Sequence, residues 1–181
     1  SLIRLYGFKI HSHLMVNLLG ATPEADKQDF KTFVTDPGFL PDEIKLYPCA
    51  LVSGTQLVQK YREGAWQPYA KDELVDVLVQ DVLVTPPYVR ISRMIRDISA
   101  TDILVGNKHT NLRQMVEQEL TSEDVASRVQ EIRFREINQQ QVRAAELTLQ
   151  DFAYTTAVSD EHFLQWVTAD NKIAGFCRLS L

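Results

Sequence analysis

Cysteine is scarce in this chain of 181 residues: there are two, Cys49 and Cys177. They form no short-spaced pair, so a disulfide framework and a four-thiolate metal site within the chain are excluded. A reducing, cytoplasmic setting is the expectation. Glycine is sparse as well, and its seven positions never fall two apart. That removes the Gly-x-Gly-x-x-Gly fingerprint, and no phosphate-binding loop is present either. No apolar run approaches the length of a membrane span. The opening SLIRLYGFKI lacks the long apolar core and small-residue cleavage site of a secretory signal, and no membrane partner is expected. Without an initial methionine, it is expected to be an internal start. An excess of positive charge is missing too. With 19 Lys and Arg against 24 Asp and Glu, the net charge is −5. Any contact with nucleic acid must therefore come from a local basic patch.

What is present is an ordinary globular composition, 45% hydrophobic and 24% charged, enough for one core or two small ones. FKIHSHLMV (8–16) reads as a strand with His11, His13 and Met15 on one face. Thr22 and Pro23 open a helix that carries Phe30, Phe33 and Val34 and stops at Asp36-Pro37-Gly38. DEIKLYPC is a second strand, with Glu43, Lys45 and Tyr47 on one face. GTQLVQKYREG reads as a short helix capped by Thr55. KDELVDVLVQDVLV is an amphipathic helix halted by Pro86-Pro87, and YVRISRMI reads as a third strand. Two strand-helix-strand crossovers predict an α/β region with a parallel sheet. Beyond Gly106, NLRQMVEQEL is helical and SEDVASRV extends it. EIRFREI alternates as a strand that places Arg133 and Arg135 on one face. AAELTLQDFAYTT is another strand, and EHFLQWVTADNKIAGFCRLSL is a hairpin turning at 169–172.

Two groups of residues carry candidate chemistry. In parallel sheets, sites lie at the C-terminal strand ends, where His13, Lys45 and Tyr47 fall. A half-buried ammonium needs company, so Lys45 either pairs with Glu43 or a neighbouring acid, or meets a ligand. His11 and His13 share a face, but no third ligand lies near them in sequence, and a satisfied structural pair is the expectation. The second group is Arg90, Arg93 and Arg96, three residues apart, with Lys108, Arg113, Arg133 and Arg135 available to extend the patch. Clustered guanidinium groups call for an anion between them. Phosphate fits, and so do carboxylates distant in sequence. Helix and strand readings compete over 88–95.

KIHSHLMVNLLGATPEADKQDF, PDEIKLYP, SGTQL, RISRMIRDI, NLRQMV and EIRFREI occur in this order, and together they resemble the catalytic subunit of Elongator, a tRNA-modifying family. The resemblance covers most of the chain. It implies a radical S-adenosylmethionine domain, built as a partial (β/α) barrel around a 4Fe–4S cluster, joined to a GNAT-like acetyltransferase domain that binds acetyl-CoA. Such a protein places a carboxymethyl-type group on carbon five of the wobble uridine, with tRNA running over a basic surface. Residues 1–100 would then be the C-terminal, rear part of the barrel. Residues 101–140 would be a connecting region, and 141–181 the opening hairpin of the acetyltransferase domain. By resemblance, His13, Lys45 and Tyr47 face the radical cavity. Arg90, Arg93, Arg96, Lys108, Arg113, Arg133 and Arg135 meet tRNA.

The pattern departs from the family in important places. The cluster cysteines are expected upstream of Ser1, and the acetyl-CoA loop beyond Leu181. Val129 and Phe134 stand where some relatives carry clustered cysteines, so no structural metal is expected there. The chain alone is expected to hold no cofactor and to be inactive. Open sheet edges predict self-association, beside partnership with other Elongator-type subunits. The competing readings are a stand-alone tRNA- or protein-binding α/β module without catalysis, and a small-molecule α/β domain using Lys45 and Tyr47.

Overall fold

The computed structural model describes residues 2–94, 102–106, 111–138 and 141–181. Arg96 and Lys108 lie outside them. In chain order the first elements are α1 (Leu2–Leu5), β1 (His11–Val16), α2 (Pro23–Thr35), β2 (Glu43–Pro48), β3 (Leu51–Val52) and α3 (Leu57–Arg62). Then come α4 (Lys71–Val84), β4 (Arg90–Arg93), β5 (Ile103–Val105), α5 (Leu112–Glu119), α6 (Glu123–Ala126) and α7 (Ile132–Arg135). A 3-10 turn at Ala144–Glu146 leads into β6 (Thr148–Thr155), β7 (Asp160–Val167) and β8 (Ile173–Ser180).

Local signals set the main helices. Thr22 Oγ1 accepts the Ala25 N–H at 3.2 Å, with Pro23 just behind it and Glu24 and Asp26 in the first turn. These acids meet the positive end of the helix. The Glu73 carboxylate accepts the Ala70 N–H at 2.9 Å to start α4. Thr85, extended before Pro86, stops it because a residue preceding proline is driven out of the helical region.

β1, β2 and β4 form a parallel sheet in the order β1-β2-β4. The helices α2 and α4 pack together on one side of it. Phe30 and Val34 of α2 and Leu74, Val77, Leu78 and Val82 of α4 share one core with Ile44, Leu46 and Ile91 of the strands. Burying each such side chain contributes roughly 2 kcal/mol. The short antiparallel pair β3–β5 and the helix α3 build a smaller cluster around Cys49, Leu51 and Trp66. β6, β7 and β8 form an antiparallel sheet.

Among the described residues, the outer edge of β4 is covered mainly by side chains and not by another strand. The Ile91 N–H donates to Glu131 Oε1 at 2.6 Å, and Arg113 Nη1 donates to the Ile91 carbonyl at 2.7 Å. Arg133 Nη1 donates to the Ser92 carbonyl at 2.5 Å, and the Ile132 N–H donates to the Val89 carbonyl at 3.2 Å. Edge strands left bare are templates for aggregation, so these four bonds close a hazard as well as satisfying the backbone.

The two larger sheets meet over Asp42, which is 1% exposed. Its carboxylate receives Arg4 Nη1 at 3.1 Å, Arg178 Nη1 at 3.0 Å and the Ile10 N–H at 2.7 Å. Arg178 also donates to the Tyr88 carbonyl, and Tyr88 stacks on Tyr154 at 3.7 Å. Burial works against the charge on Arg4, yet Asp42 outweighs it and raises the guanidinium above its ordinary value.

Four expectations need correction. EIRFREI is not a strand: Glu131 caps the one-turn helix α7 through the Phe134 N–H at 2.8 Å. Arg133 is therefore exposed while Arg135 is buried, and the two do not share a face. Thr55 does not cap α3; its hydroxyl donates to the Val52 carbonyl at 2.8 Å and closes the preceding turn. α6 is a separate turn rather than an extension of α5. Finally, the first strand begins at His11, three residues later than its reading from Phe8.

Candidate functional site

Parallel sheets are normally covered on both faces. Here the face opposite the helices carries polar side chains from all three strands, and the register arranges them in rows. His11 lies opposite Glu43, and Glu43 opposite Arg90. His13 lies opposite Lys45, and Lys45 opposite Arg93. The second alignment depends on a slip between Ile44 and Lys45; in a regular ladder Lys45 would oppose Ser92.

The first row is balanced internally. Glu43 Oε2 accepts Lys9 Nζ at 2.6 Å, and Glu43 Oε1 lies 3.8 Å from His11 Nε2. Arg90 meets Glu136 through two nitrogens, at 2.8 and 3.3 Å. Burial raises the carboxyl of Glu43, but hydrogen bonds from Lys9 and Ser92 outweigh it and hold the group below its ordinary value. His11 is shifted downward, first by burial and then by Lys45 and His13, against the pull of Glu43.

The second row contains no acid. Among the described residues, Lys45 makes no ion pair, although it is half-buried. Its expected partner, Glu43, is engaged by Lys9 and His11. Aromatic rings continue along the face: His11 and His13 centroids are 5.4 Å apart, and His13 and Tyr47 meet edge-on at 5.8 Å. Tyr47, opposite Met15 and 7% exposed, stands toward the C-terminal end. The backbone register thus aligns an imidazole, an ammonium and a guanidinium, donor types that suit an anionic group, with a phenol farther along the same strand face.

Above β1, a loop is pinned at Asn17, whose φ is 62°. Its N–H donates to Asp26 Oδ2 at 2.7 Å, its side chain accepts the Tyr69 N–H at 3.0 Å, and its carbonyl accepts Trp66 Nε1 at 2.8 Å. The Tyr69 hydroxyl donates to Asp26 Oδ2 at 2.7 Å. Burial, and then Asp26, push that phenol well above its ordinary value. This rim was missed in the sequence. Its one local signal is an Asn directly after a strand, a residue that tolerates positive φ.

The candidate arginines divide by environment. Arg113 donates to Glu117 at 2.7 Å and to the Ile91 carbonyl, and lies 3.7 Å from Glu131. Arg135 donates to the Gln130, Asn171 and Pro87 oxygens at 2.8, 3.1 and 3.1 Å. Burial lowers it to about 10, against Glu131. Arg90 is held by Glu136. Arg93 and Arg133 stand exposed at the β4 end. Strand geometry over Arg90–Arg93 settles that stretch against the helix reading.

An iron–sulfur cluster held by thiolates does not fit these residues. Cys49 is buried and Cys177 exposed on another sheet. Among the described residues no three of His, Cys, Asp and Glu converge as metal ligands. No helix among them is long and apolar enough to cross a membrane.

Comparison with known proteins completes the description. Residues 41–122 match the Radical_SAM C-terminal domain. The tRNA uridine(34) acetyltransferase of Dehalococcoides mccartyi (strain CBDB1) is 38% identical over 183 residues, covering 99% of this chain and 39% of that protein. Elongator complex protein 3 of Homo sapiens is 30% identical over 178 residues, covering 96% of this chain and 32% of that protein. The solved structure of archaeal Methanocaldococcus infernus Elp3 with an N-terminal deletion superposes with a TM-score of 0.90 at 31% identity. It covers 99% of this chain and 43% of that one. The chain thus spans less than half the length of each of these relatives.

Proposed function

This chain belongs to the tRNA uridine(34) acetyltransferase and Elongator complex protein 3 family, and we propose that it walls the reaction chamber of such an enzyme and guides tRNA to it. The activity proposed for the whole enzyme is modification of carbon five of the wobble uridine with a carboxymethyl-type group, using S-adenosylmethionine radical chemistry and acetyl-CoA. Residues 1–100 form the rear of the radical barrel, 101–140 the connection and 141–181 the start of the acetyltransferase-like domain. The partners are tRNA and, in a cytoplasmic setting, other Elongator-type subunits or a second copy.

One observation carries this reading: the polar face of the parallel sheet opposite the helices, with Lys45 half-buried and in no ion pair among the described residues. A wall that served only stability would pair or neutralise that ammonium. Lys45 orients a carboxylate of substrate or cofactor, and His13 and Tyr47 line the same chamber. The cluster's thiolates are not among this chain's residues, so binding and orienting are the roles assigned here. Arg93 and Arg133, with Arg96 and Lys108, receive tRNA phosphates. Arg90, Arg113 and Arg135 hold the platform under them.

The test is tRNA binding by this chain at several salt concentrations, beside Arg93→Ala/Arg133→Ala. Weaker binding with a salt slope shallower by about two is expected of the variant. Unchanged affinity and slope in a folded variant would overturn the assignment.

A further inference from the structure

Asp81 lies on the inner side of α4 and is fully buried, at 0% exposure. Neither carboxyl oxygen has a hydrogen-bond partner among the described residues. Its neighbours on the helix, Val77, Leu78 and Val82, belong to the apolar core between the helices and the sheet. Buried polar groups in native proteins are nearly always satisfied, so one that is not calls for a reason.

The charged groups acting on Asp81 come from α2. Asp26 disfavours its ionisation and Lys27 favours it, both after the larger effect of burial. Lys27 is already engaged by Asp76 at 2.5 Å on the outer side of the seam. The strands contribute apolar residues to this core, among them Ile44, Leu46 and Ile91. An ionised carboxylate here would lose its hydration and face a second carboxylate without receiving a compensating bond.

We propose that Asp81 is a proton-operated latch: as the neutral acid it lets α2 and α4 lie together, and on ionising it loosens their seam. Because Asp26 also holds the Asn17 N–H and the Tyr69 hydroxyl, the loosening reaches the rim of the polar face. The latch rests on the burial of Asp81 and is independent of what that face binds.

The sign follows from linkage. The folded chain keeps a proton on Asp81 at pH values where the unfolded chain, near the ordinary 3.8, has lost it. Stability therefore falls as pH rises above the ordinary aspartate range, until the folded form also ionises. The experiment is urea unfolding from about pH 5 to about pH 9, comparing the chain with Asp81→Asn. The ratio of the two folding constants should change in favour of Asp81→Asn by up to about tenfold per pH unit, the effect of one proton. Where Asp81 ionises in the folded chain, the Asn17 amide resonance should shift in the parent and not in the variant. Parallel stability curves would overturn the proposal. A second reading needs no variant: the Asp81 carboxyl-carbon resonance of the parent chain. A proton retained above the ordinary aspartate range supports the latch, and ionisation within that range overturns it.

Discussion

The two faces of the parallel sheet are built from the same strands and obey opposite rules. On β2, Ile44 and Leu46 point into the helices and are almost wholly buried. Glu43 and Lys45, one residue away from them, point to the opposite side and are half-buried. The inner face is apolar but for Asp81, whose carboxyl oxygens have no hydrogen-bond partner among the described residues and whose ionisation burial disfavours. The outer face keeps an ammonium out of ion pairs among the described residues. The apolar core is concentrated on one side of the sheet, and polar side chains gather on the other.

That contrast breaks most visibly at its border. Glu131→Ala removes a buried carboxylate that accepts two backbone N–H groups and faces Arg113. We expect a loss of about 3–5 kcal/mol in urea unfolding. A loss below about 1 kcal/mol would mean that the β4 edge does not depend on it. Ile44→Ala, on the inner face, should cost about 2–4 kcal/mol by the same measurement. Its neighbour Lys45→Met should change stability by no more than about 0.5 kcal/mol. If the lysine substitution costs as much as the isoleucine one, Lys45 is structural and the division between the faces fails.

The smallest expected effect is a pH dependence from the outer face. The His11 imidazole is shifted below its ordinary 6.5, so the unfolded chain takes up this proton more readily than the folded one. Stability should fall as pH drops through about 6.5, and His11→Gln should flatten that limb of the thermal-unfolding curve. An unchanged limb in the variant would place the acid sensitivity on other groups.

Much of the inner face was legible in the sequence. β1, β2, α2 and α4 follow from alternation, a Thr-Pro start and a Pro-Pro stop, signals that act within a few residues. The outer face was only half legible. His13, Lys45 and Tyr47 could be placed on it, but the line through Arg93 requires the slip after Ile44, which no local pattern announces. The α7 turn misled for a physical reason. Ile132 and Phe134 alternate as a strand would, while the buried pair is Ile132 and Arg135, and a buried arginine is not what periodicity looks for. Two of its three oxygen partners, on Pro87 and Asn171, come from distant segments. The bracing by Arg113 and Arg135 is likewise a matter of partners 22 and 48 positions away.

The side-chain seal over β4 has a directional consequence. Glu131, Arg113 and Arg133 occupy the hydrogen-bonding groups that a further strand would need at that margin. β1, at the opposite margin, has β2 as its only strand neighbour among the described residues. Among the described residues the two margins of the sheet therefore differ, and adding a strand at β4 would first have to evict three charged side chains.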